Sequence, residues 1–168
     1  MARFWLAFAL LVFTAGTATA QQAQRIEVYE FGTYVASGSS YTHPPSHQGI
    51  KIEGHDGYTH LETTRTVAAR IGARFGFRYR VEGTPPGLYA PLKMVWKFPP
   101  PGIVGGDPAH PVQLEVVEFE AASNDNYVIT MSLEAPSDLV PGIWTFEIWS
   151  GDQKLTEQNF EVLAPLIS

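Results

Sequence analysis

The chain has 168 residues, 45% apolar and 17% charged, with 13 Pro, 15 Gly, no Cys and a formal net charge of −6. The lack of Cys excludes disulfides, thiolate chemistry and acylation at a lipoprotein cysteine. The acidic balance gives no electrostatic reason to seek nucleic acid or an anionic membrane.

The N-terminus reads as a secretory signal. Arg3 is a short positive start, Phe4 to Phe13 is an apolar run, and Ala18-Thr19-Ala20 places small residues where a signal peptidase reads. The run is about half of the roughly 20 residues a span needs. Cleavage after residue 20 leaves 21–168 as a single domain, with no membrane span. Losing Arg3 takes the 11 basic residues to 10 against 17 acidic, a net of −7. The remaining length can bury a sizeable core without a covalent staple.

A first strand is expected from Arg25 to Ala36, with broken alternation between Val28 and Tyr29 that points to a bulge. Residues 37–60 carry turn chemistry: Ser37-Gly38-Ser39-Ser40, Pro44-Pro45 and Gly54-His55-Asp56-Gly57. They read as a long surface loop, with a brief extended piece at Ile50 and Ile52. A strand from Glu62 to Ala69 and a turn at Gly72 follow. The clearest strand comes next: Phe75, Phe77, Tyr79 and Val81 share one face, and Arg74, Arg78 and Arg80 share the other.

Leu88, Ala90, Leu92, Met94, Trp96 and Phe98 alternate again, with Pro91 outward near an edge. Residues 99–111 form a long connection able to carry the chain between sheets. Val112, Leu114 and Val116 are read as inward, then Val117 and Phe119, which requires a bulge between Val116 and Val117. Ser123 to Asn126 is a turn. Tyr127, Ile129, Met131 and Leu133 face in, as do Trp144, Phe146 and Ile148, and finally Phe160 and Val162. No helical period interrupts the series. The pattern specifies an all-β, antiparallel, immunoglobulin-like Greek-key sandwich of about seven or eight strands, with a jelly roll or closed barrel as the alternative.

The C-terminal motifs support that choice. Leu139-Val140-Pro141-Gly142-Ile143-Trp144-Thr145-Phe146-Glu147-Ile148-Trp149, then Gly151 to Leu155, then Phe160-Glu161-Val162 resemble the final hairpin of bacterial exported immunoglobulin-like domains. With Gly72 to Tyr79 upstream, the chain is similar to a bacterial family of exported domains known only as a domain of unknown function. The resemblance spans most of 25–163. It implies a fold and a periplasmic location, and it carries no catalytic residue over.

Candidate sites are few. His43, His47, His55 and His60 gather beside Glu53 and Asp56, a donor set that suits Zn²⁺ or Cu²⁺. Pro44-Pro45 forbids a helical His43/His47 pair, so only the loop fold could assemble a site. Otherwise these histidines are solvated. Arg65, Arg70, Arg74, Arg78 and Arg80 form the densest positive charge. Arg78 and Arg80 are candidate ligand contacts, against cross-strand pairing with Glu115, Glu118 and Glu120. Trp149 falls on an outward phase, where an indole could anchor a partner. No nucleophile elbow, zinc-protease motif, phosphate loop or dinucleotide fingerprint is present. The expectation is a non-enzymatic periplasmic or secreted module that takes no cofactor and binds an envelope or extracellular protein through loops 37–60 and 99–111. The alternative is a metal- or small-ligand-binding domain using His43 to His60.

Overall fold

The computed structural model describes residue 23, residues 25–85 and residues 87–164. The expected signal segment lies outside the described residues. Nine strands form: β1 (Arg25–Thr42), β2 (Glu53–Glu62), β3 (Thr66–Ala68), β4 (Arg74–Glu82), β5 (Tyr89–Lys97), β6 (Leu114–Ala122), β7 (Asn126–Ser132), β8 (Gly142–Ser150) and β9 (Gln153–Leu163). One sheet has the order β2-β1-β4-β7 and the other β3-β9-β8-β5-β6. All ladders are antiparallel except β3 against β9. Two separate sheets face each other, so the closed-barrel alternative is set aside. Among the described residues the only helical element is the short turn Pro136–Asp138, and no helix is long and apolar enough to cross a membrane.

The two-residue period does most of the work. Phe75, Phe77, Tyr79 and Val81 on β4 are at most 1% exposed and meet Trp144, Phe146, Ile148 and Phe160 from the opposite sheet. The outward residues of β4 are Arg74, Gly76, Arg78 and Arg80. Gly76 opposes Gly32 on β1, and a Cβ at Gly76 would sit 1.9 Å from the carbonyl oxygen of Ile129 on β7. A side chain there cannot be accommodated without moving a neighbouring strand.

Four expectations are corrected. Residues 37–60 are mostly strand: β1 runs on to Thr42 and β2 begins at Glu53, leaving 43–52 as the loop. The polar, glycine-rich composition reflects a hairpin solvated on much of its surface, so hydrophobic alternation gave no signal. The 99–111 connection stays within one sheet. Ile103 and Val112 bridge antiparallel, and Phe98 N–H donates to the Gln113 carbonyl (2.9 Å), so the segment extends the β5–β6 hairpin. The chain instead changes sheets between β4 and β5. Leu88 is exposed, outside the face shared by Ala90 to Phe98.

The fourth correction concerns β6. Its register with β5 runs unbroken from Tyr89↔Ala122 to Lys97↔Leu114, with no bulge at Val116. The inward face is therefore Glu115, Val117, Phe119 and Ala121. Leu114 is exposed, and Glu115 is 2% exposed. By contrast, the bulge beside Tyr29 is present as a register shift between Val28 and Glu30.

Replacing Gly76 with Ala is expected to destabilise the protein by about 2 kcal/mol or more, since overpacking of this kind forces backbone displacement. Urea unfolding followed by tryptophan fluorescence reads the loss.

Candidate functional site

The β1–β2 hairpin is an arm. It pairs with β4 only as far as Thr33, and beyond that point β1 has β2 as its sole partner. Register shifts at Thr33/Tyr34 and between Ser37 and Ser40 bend it. The bent arm crosses β4 toward β7, where Arg78 donates to the Tyr58 carbonyl (2.5 Å) and Arg74 contacts His55 Nε2 (3.3 Å). Lys51 at its tip reaches Glu134 (3.5 Å). The tip then fastens to the other sheet. Ser46 Oγ donates to Glu115 Oε2 (2.5 Å), Gln48 N–H donates to the same oxygen (3.2 Å), and Gly106 N–H donates to the Gln48 carbonyl (2.9 Å). Ile50, 5% exposed, enters the core beneath it.

Between this arm and β7 lies a cleft of about 600 Å³. All seven residues of β7 line it. The cleft therefore touches both faces of that strand. On the interior side its floor includes Trp96, Trp144, Ile103, Ile129 and Met131. On the exterior side its wall carries Arg74, Arg78, His55 and Tyr58. Among the described residues strand β7 is also the terminal strand of its sheet, paired with β4 alone. Alternate backbone groups of such a strand point into the open space.

The carboxylates at this cleft are already engaged. Glu53 faces Lys51 and His55 (3.6 and 3.7 Å). Asp56 accepts from the Ser39 N–H (2.9 Å), and Glu134 accepts from Ser132 Oγ (2.8 Å). Asp138 accepts from the backbone of Glu134 and Ala135 (2.9 and 2.8 Å). Among the three Lys and Arg side chains lining it, Lys51 faces Glu53 and Glu134, and Arg78 faces Glu30 (3.3 Å). Among the described residues, Arg74 contacts Thr130 Oγ1 (3.2 Å), His55 and the Tyr58 ring, and no carboxylate lies within ion-pair distance of it.

Of the five arginines singled out, Arg78 and Arg80 pair across strands with carboxylates, but with other partners than expected, whereas Arg65 contacts Gln158 and the Phe31 ring. Arg25, Arg78 and Arg80 face Glu82, Glu30 and Glu27 directly opposite on neighbouring strands of their own sheet. Glu115, Glu118 and Glu120 stand on the other sheet, beyond reach. Arg80 also donates to Asn126 (2.9 Å) and lies over the Tyr29 ring. These half-exposed pairs add little stability.

The histidines divide. His43 and His55 line the cleft. His60 contacts the Phe31 carbonyl (3.1 Å) and packs on Tyr34, and His47 is in the tip loop. Among the described residues no three His, Asp or Glu side chains are placed to hold a metal ion together.

Trp149 does face outward, and it covers Glu147, an outward carboxylate only 2% exposed. Burial presses the Glu147 pKa upward. Hydrogen bonds from Lys97 Nζ (2.7 Å), Trp149 Nε1 (2.9 Å) and Lys154 Nζ (3.3 Å) outweigh that and hold the carboxyl below its ordinary range. The Trp149 indole is thus occupied as a donor. The two buried carboxylates, Glu115 and Glu147, escaped the sequence reading. Glu115 was legible as the backward extension of the Val117, Phe119, Ala121 face, had apolar Leu114 and Val116 not competed for it.

Two packed, largely antiparallel sheets, with the chain passing between them from β2 to β3, β3 to β4, β4 to β5, β6 to β7 and β7 to β8, define an immunoglobulin-like β-sandwich. The structure is similar to that of an immunoglobulin-like protein from Pseudomonas aeruginosa, at 22% identity and a TM-score of 0.50, covering 86% of this chain and 99% of that one. Residues 24–162 match the profile of the domain of unknown function DUF3859, and the chain belongs to that family. No curated protein matches the chain.

Two outcomes are expected here. Replacing Ser46 with Ala leaves buried Glu115 short of a donor, costs about 1–2 kcal/mol in urea unfolding, and speeds hydrogen exchange in the arm. Glu147, whose carboxyl is depressed in the folded state, adds stability that is full above its unfolded pKa of about 4.3. That stability fades as pH falls through the lower folded value. The stability gap between wild type and Glu147→Gln is therefore largest near neutrality and narrows below about pH 4, as read by denaturation across pH.

Proposed function

We propose that this chain is a non-enzymatic, exported module, periplasmic or secreted, that binds a protein partner at the cleft between the arm and β7. One observation carries the reading: the cleft joins an open strand edge to an apolar floor, with Ile129 and Met131 partly buried over the core, and concave, mostly apolar sites with a few placed polar groups are what recognition uses. The engagement of its carboxylates in structural hydrogen bonds supports binding over acid–base chemistry, which needs a group free to exchange a proton with substrate. The basic start, short apolar run and Ala-Thr-Ala sequence of residues 1–20 support export. The contact surface differs from the expected one. Loop 43–52 and the 99–111 segment contribute to its rim, through residues such as Lys51, Ile103 and Val104, while its body is β7.

The test is in-cell photo-crosslinking with p-benzoylphenylalanine in place of Val128, which lines the cleft, and in place of Glu157 on the opposite sheet as control. A discrete protein adduct from the Val128 position alone, in a chain recovered from the envelope with Gln21 as its first residue, is expected. No adduct at Val128, or the same adducts from both positions, overturns the reading.

A further inference from the structure

We infer that the occupant of this cleft is an extended peptide segment of the partner, added to β7 as a fifth strand of its sheet. The inference rests on the binding role above and names what is bound. Strand β7 has seven residues, about 23 Å at roughly 3.3 Å per residue, and its far side carries no ladder. A strand laid there satisfies its alternate N–H and C=O groups, the main-chain basis of strand addition.

The two-sided lining fixes the pattern of that segment. Side chains of an added strand alternate between the faces of the sheet. On one face they meet the partly buried Ile129 and Met131 of β7, with the core rings of Trp96 and Trp144 behind them, so those positions are apolar. On the other they meet Arg74 and Arg78. Arg78 already faces Glu30, whereas Arg74 is half-buried and has no carboxylate partner among the described residues, so the complementary side chain there is acidic. The expected ligand therefore alternates apolar and polar residues, with Asp or Glu placed against Arg74.

The arm decides between a single strand and a second copy of this chain. It stands across the cleft from β7, pinned at Lys51–Glu134 and at Ser46–Glu115. A peptide paired with β7 lies about 4.8 Å from it and presents a single strand to the arm. A whole folded edge with its own arm meets the arm already there. The same obstruction keeps β7 from pairing indiscriminately with other sheets.

The experiment pans a phage-displayed library of random dodecapeptides against the protein lacking residues 1–20, and remakes the enriched sequences synthetically. Three results are expected. The enriched peptides alternate apolar and polar residues with an acidic position, and their binding slows amide exchange along β7. N-methylation of alternate peptide amides weakens binding to the wild-type protein at least tenfold. Arg74→Gln weakens the acidic peptide about fivefold, and leaves its Gln counterpart unchanged. Absence of enriched peptides, unaltered exchange at β7, or equal binding by the N-methylated peptides overturns the inference, as does a β7-paired dimer in solution. N-methylated peptides test the wild-type fold, so the result stands even where Arg74→Gln folds poorly. A Val128 adduct obtained together with indifference to N-methylation removes the strand mode alone and keeps the binding role. Loss of the adduct removes the binding role itself.

Discussion

Phe75 stands at the centre of the sandwich, in contact with Trp144, Phe146 and Phe160, its ring centroid 5.6, 6.0 and 5.3 Å from theirs. Phe77 extends the cluster to Phe146, and Phe98 closes it from the other side of Trp144. In a chain with no Cys, this aromatic seam is what joins β4 to β8 and β9. Edge-to-face and tilted rings gain about 0.5–1.5 kcal/mol per pair beyond their buried area. The remainder of the architecture is arranged around that seam, and β7 and β6 lie at its margins, where the sheets open toward the arm.

Polar groups close what the aromatic seam leaves open. The arm reaches the second sheet through a buried carboxylate, Glu115, satisfied by a hydroxyl and a backbone N–H from residues nearly seventy positions away. A buried carboxylate is tolerated only when hydrogen-bonded. The tip loop is therefore specified by Glu115 as much as by Ile50. Glu147 plays a corresponding part on the outer face of the second sheet, where two lysines and an indole converge on one carboxylate. The arm's position in turn creates the cleft. An ordinary sandwich edge is flat, but here β7 faces a wall, and a shallow margin becomes a concave site.

Much of the sandwich could be read directly from residue order. The alternation in Arg74 to Val81 and in Ala90 to Phe98 placed β4 and β5, their inward residues and the outward arginines. The bulge by Tyr29 showed as broken alternation, and Asn124, with a φ of 66°, occupies the expected turn. The arm was illegible because its composition is that of a loop: a two-stranded ribbon exposed on most of its surface has no hydrophobic face to announce it. The partners of the arginines were likewise misassigned, since side-chain phase tells which face a residue occupies but not which strand lies beside it. Trp149 showed correctly as outward, while its covering of Glu147 depends on Lys97 and Lys154 from two neighbouring strands.

Periodicity by itself determined the class of this protein, the faces of its central strands and its independence from disulfides, because those properties follow from local alternation and composition. Tertiary structure alone decided the arm, the inward turn of Glu115 and the cleft at β7. Each of these arises from contacts between segments far apart in the chain: Ser46 with Glu115, Lys51 with Glu134, His55 with Arg74. Long-range register and the bend of a hairpin are set by packing of the whole, and no local pattern encodes them.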